Sequence, residues 1–118
     1  MTSEDATQIN LLNWLRFNYP DIWEDTIHIA NQRSTSIQYG KLLKKMGVKP
    51  GVSDLFVAVP KGNFSGLWLE LKEGEGKPSK KQQNFLARMT ARGYVAVCVV
   101  GLDAAKAAIE AYLQTDEL

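Results

Sequence analysis

The spacing of apolar positions changes period several times along the chain, and each change marks an element. From residue 3 to residue 18 they recur at helical intervals, with Leu11, Leu12 and Leu15 on one side. Thr2 or Ser3 supplies the cap, Glu4 and Asp5 lie in the first turn, and Asn18-Tyr19-Pro20-Asp21 ends the helix. Residues 25–30, with Thr26-Ile27-His28-Ile29, predict a short strand, and Asn31 to Ser36 a polar loop. A basic helix is expected over Ile37–Met46, stopped by Gly47, before Lys49-Pro50-Gly51 turns the chain. Alternation then predicts strands over Asp54–Val59 and Leu67–Lys72, joined by the turn-rich stretch from Pro60 to Gly66. Gly74 to Pro78 is a loop. Ser79–Arg92 is a helix with Phe85, Leu86 and Met89 on its apolar side, closed by Gly93. A strand over 94–100 and an Ala-rich helix over Asp103–Leu113 complete the order, leaving a tail at Gln114–Leu118 that should fray. This succession predicts an α/β fold, a single mixed sheet with helices on both faces.

The hairpin concentrates the chemistry. Strand side chains alternate, so Trp68, Glu70 and Lys72 share one face and Leu67, Leu69 and Leu71 the other. Folding back about Gly62 sets Asp54 opposite Glu70 or within a residue pair of it. Two carboxylates held that closely repel, and a divalent cation between them relieves the repulsion. Such a cation, with Lys72 orienting water or stabilising charge, suits phosphodiester hydrolysis. The Leu71 carbonyl is a further possible ligand. A Glu-x-Lys pair taken alone is also what any solvated strand face carries.

Composition narrows the class. The chain has 118 residues, which suits one domain over 1–118. Its 45% hydrophobic and 23% charged content is that of an ordinary globular protein. A net charge of +1 announces no global affinity for polyanions, yet lysines gather at 41–49 and 72–81. Cys98 is the only cysteine, in an apolar strand, so no intrachain disulfide forms and a reducing cytoplasm is expected. The polar, acidic N-terminus predicts no signal peptide, and no apolar run is long enough to span a bilayer.

Four further positions, Glu4, Lys80, Lys81 and Gln82, lie in the first turns of predicted helices. Glu4 falls with Gln8, Leu11 and Leu15 on the inward side of the first helix, where a carboxylate needs a cation or a polar site; it also suits the helix dipole. Ser79-Lys80-Lys81-Gln82 is a capping box, in which Gln82 reaches back to Ser79. Lys80 and Lys81 oppose the dipole at a helix start unless a phosphate is recruited there; a solvated helix start is the plainer account. The lone His28 is read as a surface or half-buried strand residue outside the site. No Ser-His-Asp set, Cys/His metal spacing or glycine-rich phosphate loop occurs.

Gly51-Val52-Ser53-Asp54, the hairpin, Glu70-Leu71-Lys72 and Ser79-Lys80-Lys81-Gln82 together resemble the PD-(D/E)XK nucleases, and more narrowly the virus-type replication-repair nuclease (VRR-NUC) domain. Lys49 to Leu55, Gly66 to Lys72, Pro78 to Gln82 and Gly93-Tyr94 carry the resemblance, which runs from about residue 4 to the last helix. Ser53 departs from it, since proline usually precedes the aspartate. Asn31-Gln32-Arg33 is a reduced form of the family's Asn-Gly-Gly-x-Arg stretch. The resemblance implies a restriction-endonuclease-like core and an endodeoxyribonuclease using Mg²⁺ or Mn²⁺. Asp54, Glu70 and the Leu71 carbonyl would hold the metal, and Glu4, Asp54, Glu70, Lys72 and Gln82 would form the catalytic set. Asn31, Arg33, Lys80 and Lys81 would contact DNA. It further implies branched substrates such as four-way junctions, a homodimer, and a bacterial or phage-encoded protein in the host cytoplasm. The alternatives are a catalytically weak DNA-binding module of the same fold, a flap or nicking nuclease, and a hydrolase of another substrate such as a nucleotide.

Overall fold

A computed structural model describes residues 2–30 and 36–115. Helix α1 (Ser3–Asn18) opens on Thr2, whose hydroxyl accepts from the Asp5 amide while the Asp5 carboxylate accepts from the Thr2 amide. That reciprocal cap selects Thr2 over Ser3 and satisfies two amides that the helix leaves open. Helix α2 (Pro20–Glu24) follows directly and was not expected. The proline that ends α1 is itself well placed at the first position of a new helix, because its fixed φ suits a helix start. Ile22 and Trp23 of α2 pack against the core, and the Arg16 guanidinium lies 4.7 Å from the centre of a Trp23 ring.

Four strands form one sheet in the order β1-β2-β3-β4: β1 (Thr26–His28), β2 (Leu55–Val57), β3 (Leu67–Lys72) and β4 (Val95–Val100). The first three are antiparallel neighbours, and β4 lies parallel to β3 after a crossover through α4 (Lys80–Ala91). The mixed α/β architecture is the one expected. Strand β2 is shorter than its alternating pattern, because its pairing with β3 covers only Leu55–Val57. Toward β1 the backbone bonding runs one residue further at each end, with the Ala58 amide donating to the Asp25 carbonyl and the Ile29 amide to the Asp54 carbonyl. Toward β3, the Asp54 side chain takes over the bonding before Leu55, as described below.

Alternation along β3 sorts its residues as expected. Leu67, Leu69 and Leu71 join Leu55 and Val57, and meet Leu11 and Leu15 of α1 and Ala105, Ile109 and Tyr112 of α5 (Leu102–Leu113). On the opposite face Trp68 stacks on Phe56 at 4.3 Å and meets Phe85 of α4 edge-on at 5.0 Å. Glu70 and Lys72 lie further along this second face. Cys98, paired in register with Glu70, is only half-buried; burial and then the nearby Glu70 charge push its thiol up.

Helix α3 (Ile37–Lys45) is capped by Ser36 and leaves an apolar flank in solvent, with Ile37 80% and Met46 72% exposed. The chain returns to the sheet through Gly51, at φ +87°, where a Cβ would lie 2.8 Å from the carbonyl carbon of Lys81 in α4. Only glycine combines that backbone angle with so close an approach. Gly74 has a similar φ of +57° but open space around it. In urea denaturation, Gly74→Ala should therefore cost about 1 kcal/mol from backbone strain alone. Gly51→Ala should cost about 2–3 kcal/mol. Equal losses would mean that the loop is not packed on α4.

Candidate active site

The end of β2 builds the site. Register carries Asp54 to the position facing Glu70. The Leu71 amide, which a longer β2 would meet with backbone, instead donates to Asp54 Oδ2 at 2.8 Å. A strand residue's N–H and C=O leave by the same edge. The Leu71 carbonyl thus faces the gap that opens where β2 stops, while its side chain is buried in the core.

Glu70 is 2% exposed. Its Oε2 accepts from Gln82 Nε2 at 3.2 Å and lies 3.6 Å from Lys72 Nζ. Its Oε1 is buried with no partner. Burial, and next the negative charge of Asp54, push its carboxyl up to about 8 against the pull of Lys72. An unpartnered buried carboxylate oxygen is costly in any protein. A cation bound by Asp54 and Glu70 would satisfy Oε1, and hard oxygen donors suit Mg²⁺ or Mn²⁺. Among the described residues, no three Asp, Glu, His or Cys side chains converge as a metal site. The donor set here is two carboxylates and the Leu71 carbonyl, and Mg²⁺ commonly completes so sparse a set with water and substrate phosphate.

Gln82 does both things that its sequence position allowed. Its amide oxygen accepts from the Ser79 amide at 2.7 Å and its backbone amide donates to Ser79 Oγ, which completes the capping box. Its amide nitrogen is left to donate to Glu70. One side chain with both an acceptor and a donor ties the start of α4 to the centre of β3.

Glu4, Asp54, Glu70, Lys72, Lys81 and Gln82 line one cavity of about 680 Å³. Lys80 does not line it and is exposed. Asn31 and Arg33 lie outside the described residues. Sequence reasoning missed the opposite wall, made by Gly40, Leu43 and Lys44 of α3 and by Val48, Lys49 and Pro50. The lysine cluster at 41–49 was the available signal, but nothing local showed which of its members turn toward Glu70. Two other contacts were not anticipated. Thr7 of α1 donates to Glu73, just beyond β3. His28 Nδ1 lies 3.1 Å from the Asp54 carbonyl oxygen and 3.1 Å from Gln8 Nε2. His28 is exposed and outside the cavity lining, as expected. Ser53, in the place of the usual proline, is buried with its Oγ unpartnered.

No protein-family model matches the chain, and no curated protein matches it. A solved structure described as a VRR_NUC domain protein superposes on it with a TM-score of 0.86 at 24% sequence identity. The alignment covers 99% of this chain and 93% of that one. The chain has the α/β fold of a VRR-NUC domain, the architecture that its motifs resemble. Among the described residues, no helix is long and apolar enough to cross a membrane.

The raised Glu70 carboxyl has a consequence for stability. Unfolded, it titrates near 4.5; folded, near 8. Between those values the folded state holds the extra proton, so metal-free stability should fall as pH rises through this window. Glu70→Gln should be less stable relative to wild type at pH 5 than at pH 8, where it should be the more stable protein. Urea melts in a chelator give the difference; the same difference at both pH values would show that Glu70 ionises normally.

Proposed function

We propose that residues 1–118 form a VRR-NUC-like nuclease domain that hydrolyses phosphodiester bonds in DNA with Mg²⁺ or Mn²⁺. The observation that supports this reading best is Glu70, buried beside Asp54 and Lys72 with one carboxylate oxygen unpartnered at a cavity bordered by lysines. Asp54, Glu70 and the Leu71 carbonyl would hold the cation, which when bound supplies water activation and charge neutralisation at the phosphate. Lys72, 3.6 Å from Glu70, would orient the attacking water and stabilise charge developing on the phosphate. Gln82 holds the Glu70 carboxylate in place, and Glu4 adds negative charge at the cavity border. Lys81, with Lys80 and the Asn31 and Arg33 segment, would contact the DNA backbone. A binding-only module would have no use for a buried carboxylate pair facing phosphates, which would repel its ligand.

The preferred substrate in this reading is branched DNA such as a four-way junction, cut by a homodimer with two sites in the host cytoplasm. A junction presents two symmetric cuts, which a twofold dimer matches. The apolar flank of α3, with Tyr39 and Leu42 each about half exposed beside Met46, is compatible with such a dimer.

Linear, flap and four-way DNA incubated with Mg²⁺, Mn²⁺ or EDTA test the proposal. Cleavage should need the metal and favour the junction; cleavage in EDTA, or none of any DNA, would refute it. Asp54→Asn and Glu70→Gln should each lose detectable cleavage. Lys72→Ala should lose about 10²–10³-fold in rate yet retain junction binding. Light scattering at micromolar concentration should give a dimer, and a monomer that stays monomeric on a junction would favour flap or nicking activity.

Gln82→Glu separates two roles that the wild-type residue combines. It keeps the capping acceptor but removes the donor to Glu70 and places a second negative charge there. The cleavage rate should fall about 10–100-fold. An unchanged rate would reduce Gln82 to a helix cap.

A further inference from the structure

Three lysines at the cavity take no part in holding Glu70. Lys44 comes from α3, Lys49 from the segment after it, and Lys81 from the first turn of α4. Among the described residues, none of the three has a carboxylate or hydrogen-bond partner for its ammonium group. All three are exposed, whereas the Asp54 and Glu70 carboxyl groups lie deeper, so positive charge is gathered around the cavity mouth. The chain as a whole carries only +1, so this gathering is local.

The arrangement is unfavourable for a protein that binds nothing there. Lys81 opposes the α4 dipole. The Gly51 contact presses the Lys49 segment against the Lys81 backbone, holding two cationic residues on adjoining segments. Anions would relieve both. The cavity volume of about 680 Å³ is on the scale of a small-molecule site, room for roughly one or two nucleotides but not a double helix.

We propose that Lys44, Lys49 and Lys81 form a rim that grips the phosphates flanking the scissile one, on a single DNA strand entering between α3 and α4. This rests on the nuclease reading above. It adds that the enzyme takes up one strand locally freed from its partner, and that its main grip is on the backbone beside the cut.

Methylphosphonate linkages, which are neutral, provide the test. Once the wild-type cut site is mapped, oligonucleotides are made with the phosphate on either side of it replaced. The wild-type kcat/KM should fall about tenfold or more with a neutral neighbour on at least one side, the size of effect expected for losing one charged backbone contact. The triple variant Lys44→Gln, Lys49→Gln, Lys81→Gln should be comparably slow on the natural strand and insensitive to the neutral linkage. The slope of log affinity against log salt should flatten by about one for each lysine removed. The matching triple arginine variant should recover both rate and sensitivity, which a general folding defect would not allow. If the glutamine variant fails to fold, the wild-type and arginine arms still decide. A wild type indifferent to both neutral linkages, or a glutamine variant as sensitive as wild type, overturns the rim while leaving the nuclease standing. A wild type that cleaves no DNA in either metal overturns both.

Discussion

The hydrogen bond from the Leu71 amide to Asp54 Oδ2 is the contact around which this structure is arranged. A buried amide at a sheet's interior must find an acceptor, and normally a neighbouring strand supplies one. Here a carboxylate supplies it, and three consequences follow. The pairing of β2 with β3 ends at Leu55, the Asp54 carboxylate is fixed beside Glu70, and a gap opens at the sheet through which Glu70 faces the cavity. The pair of neighbouring carboxyl groups is thereby produced by ending the β2–β3 pairing early rather than by adding a loop.

Glu70 is the cost of that arrangement. A carboxyl group at 2% exposure with one oxygen unpartnered is costly to ionise in the isolated fold, which is why it holds its proton up to about pH 8. The partners it does have come from its own strand and from a second element. Lys72 lies two residues along the same strand, and Gln82 belongs to the helix packed over that face. The capping box of α4 and the environment of Glu70 therefore share one side chain. Changes at the start of α4 reach Glu70 directly.

Much of this was legible along the chain because it is local. Period-two alternation fixes which β3 residues face which way, whatever surrounds them. The elements, the turn and the capping box follow from short-range sterics and hydrogen bonding, and the motif Asp54, Glu70, Lys72, Gln82 lies within one compact stretch. Errors appeared where two local signals competed. Pro20 was read as a stop and is also a helix start, and β2 was overextended because its apolar alternation continues after its pairing with β3 has ended.

By itself, then, the amino-acid order determined the elements, the faces of β3 and the pairing of Asp54 with Glu70, since each depends on backbone geometry over a few residues. Tertiary structure alone decided the rest. It chose α3 and the Lys49 segment as the far wall, kept Lys81 at the cavity and left Lys80 outside it, and let Gln82 serve cap and carboxylate together. It also buried Glu70 deeply enough to raise its carboxyl to about 8. Desolvation and the meeting of distant walls depend on how helices and strands pack in three dimensions, and no local pattern records them.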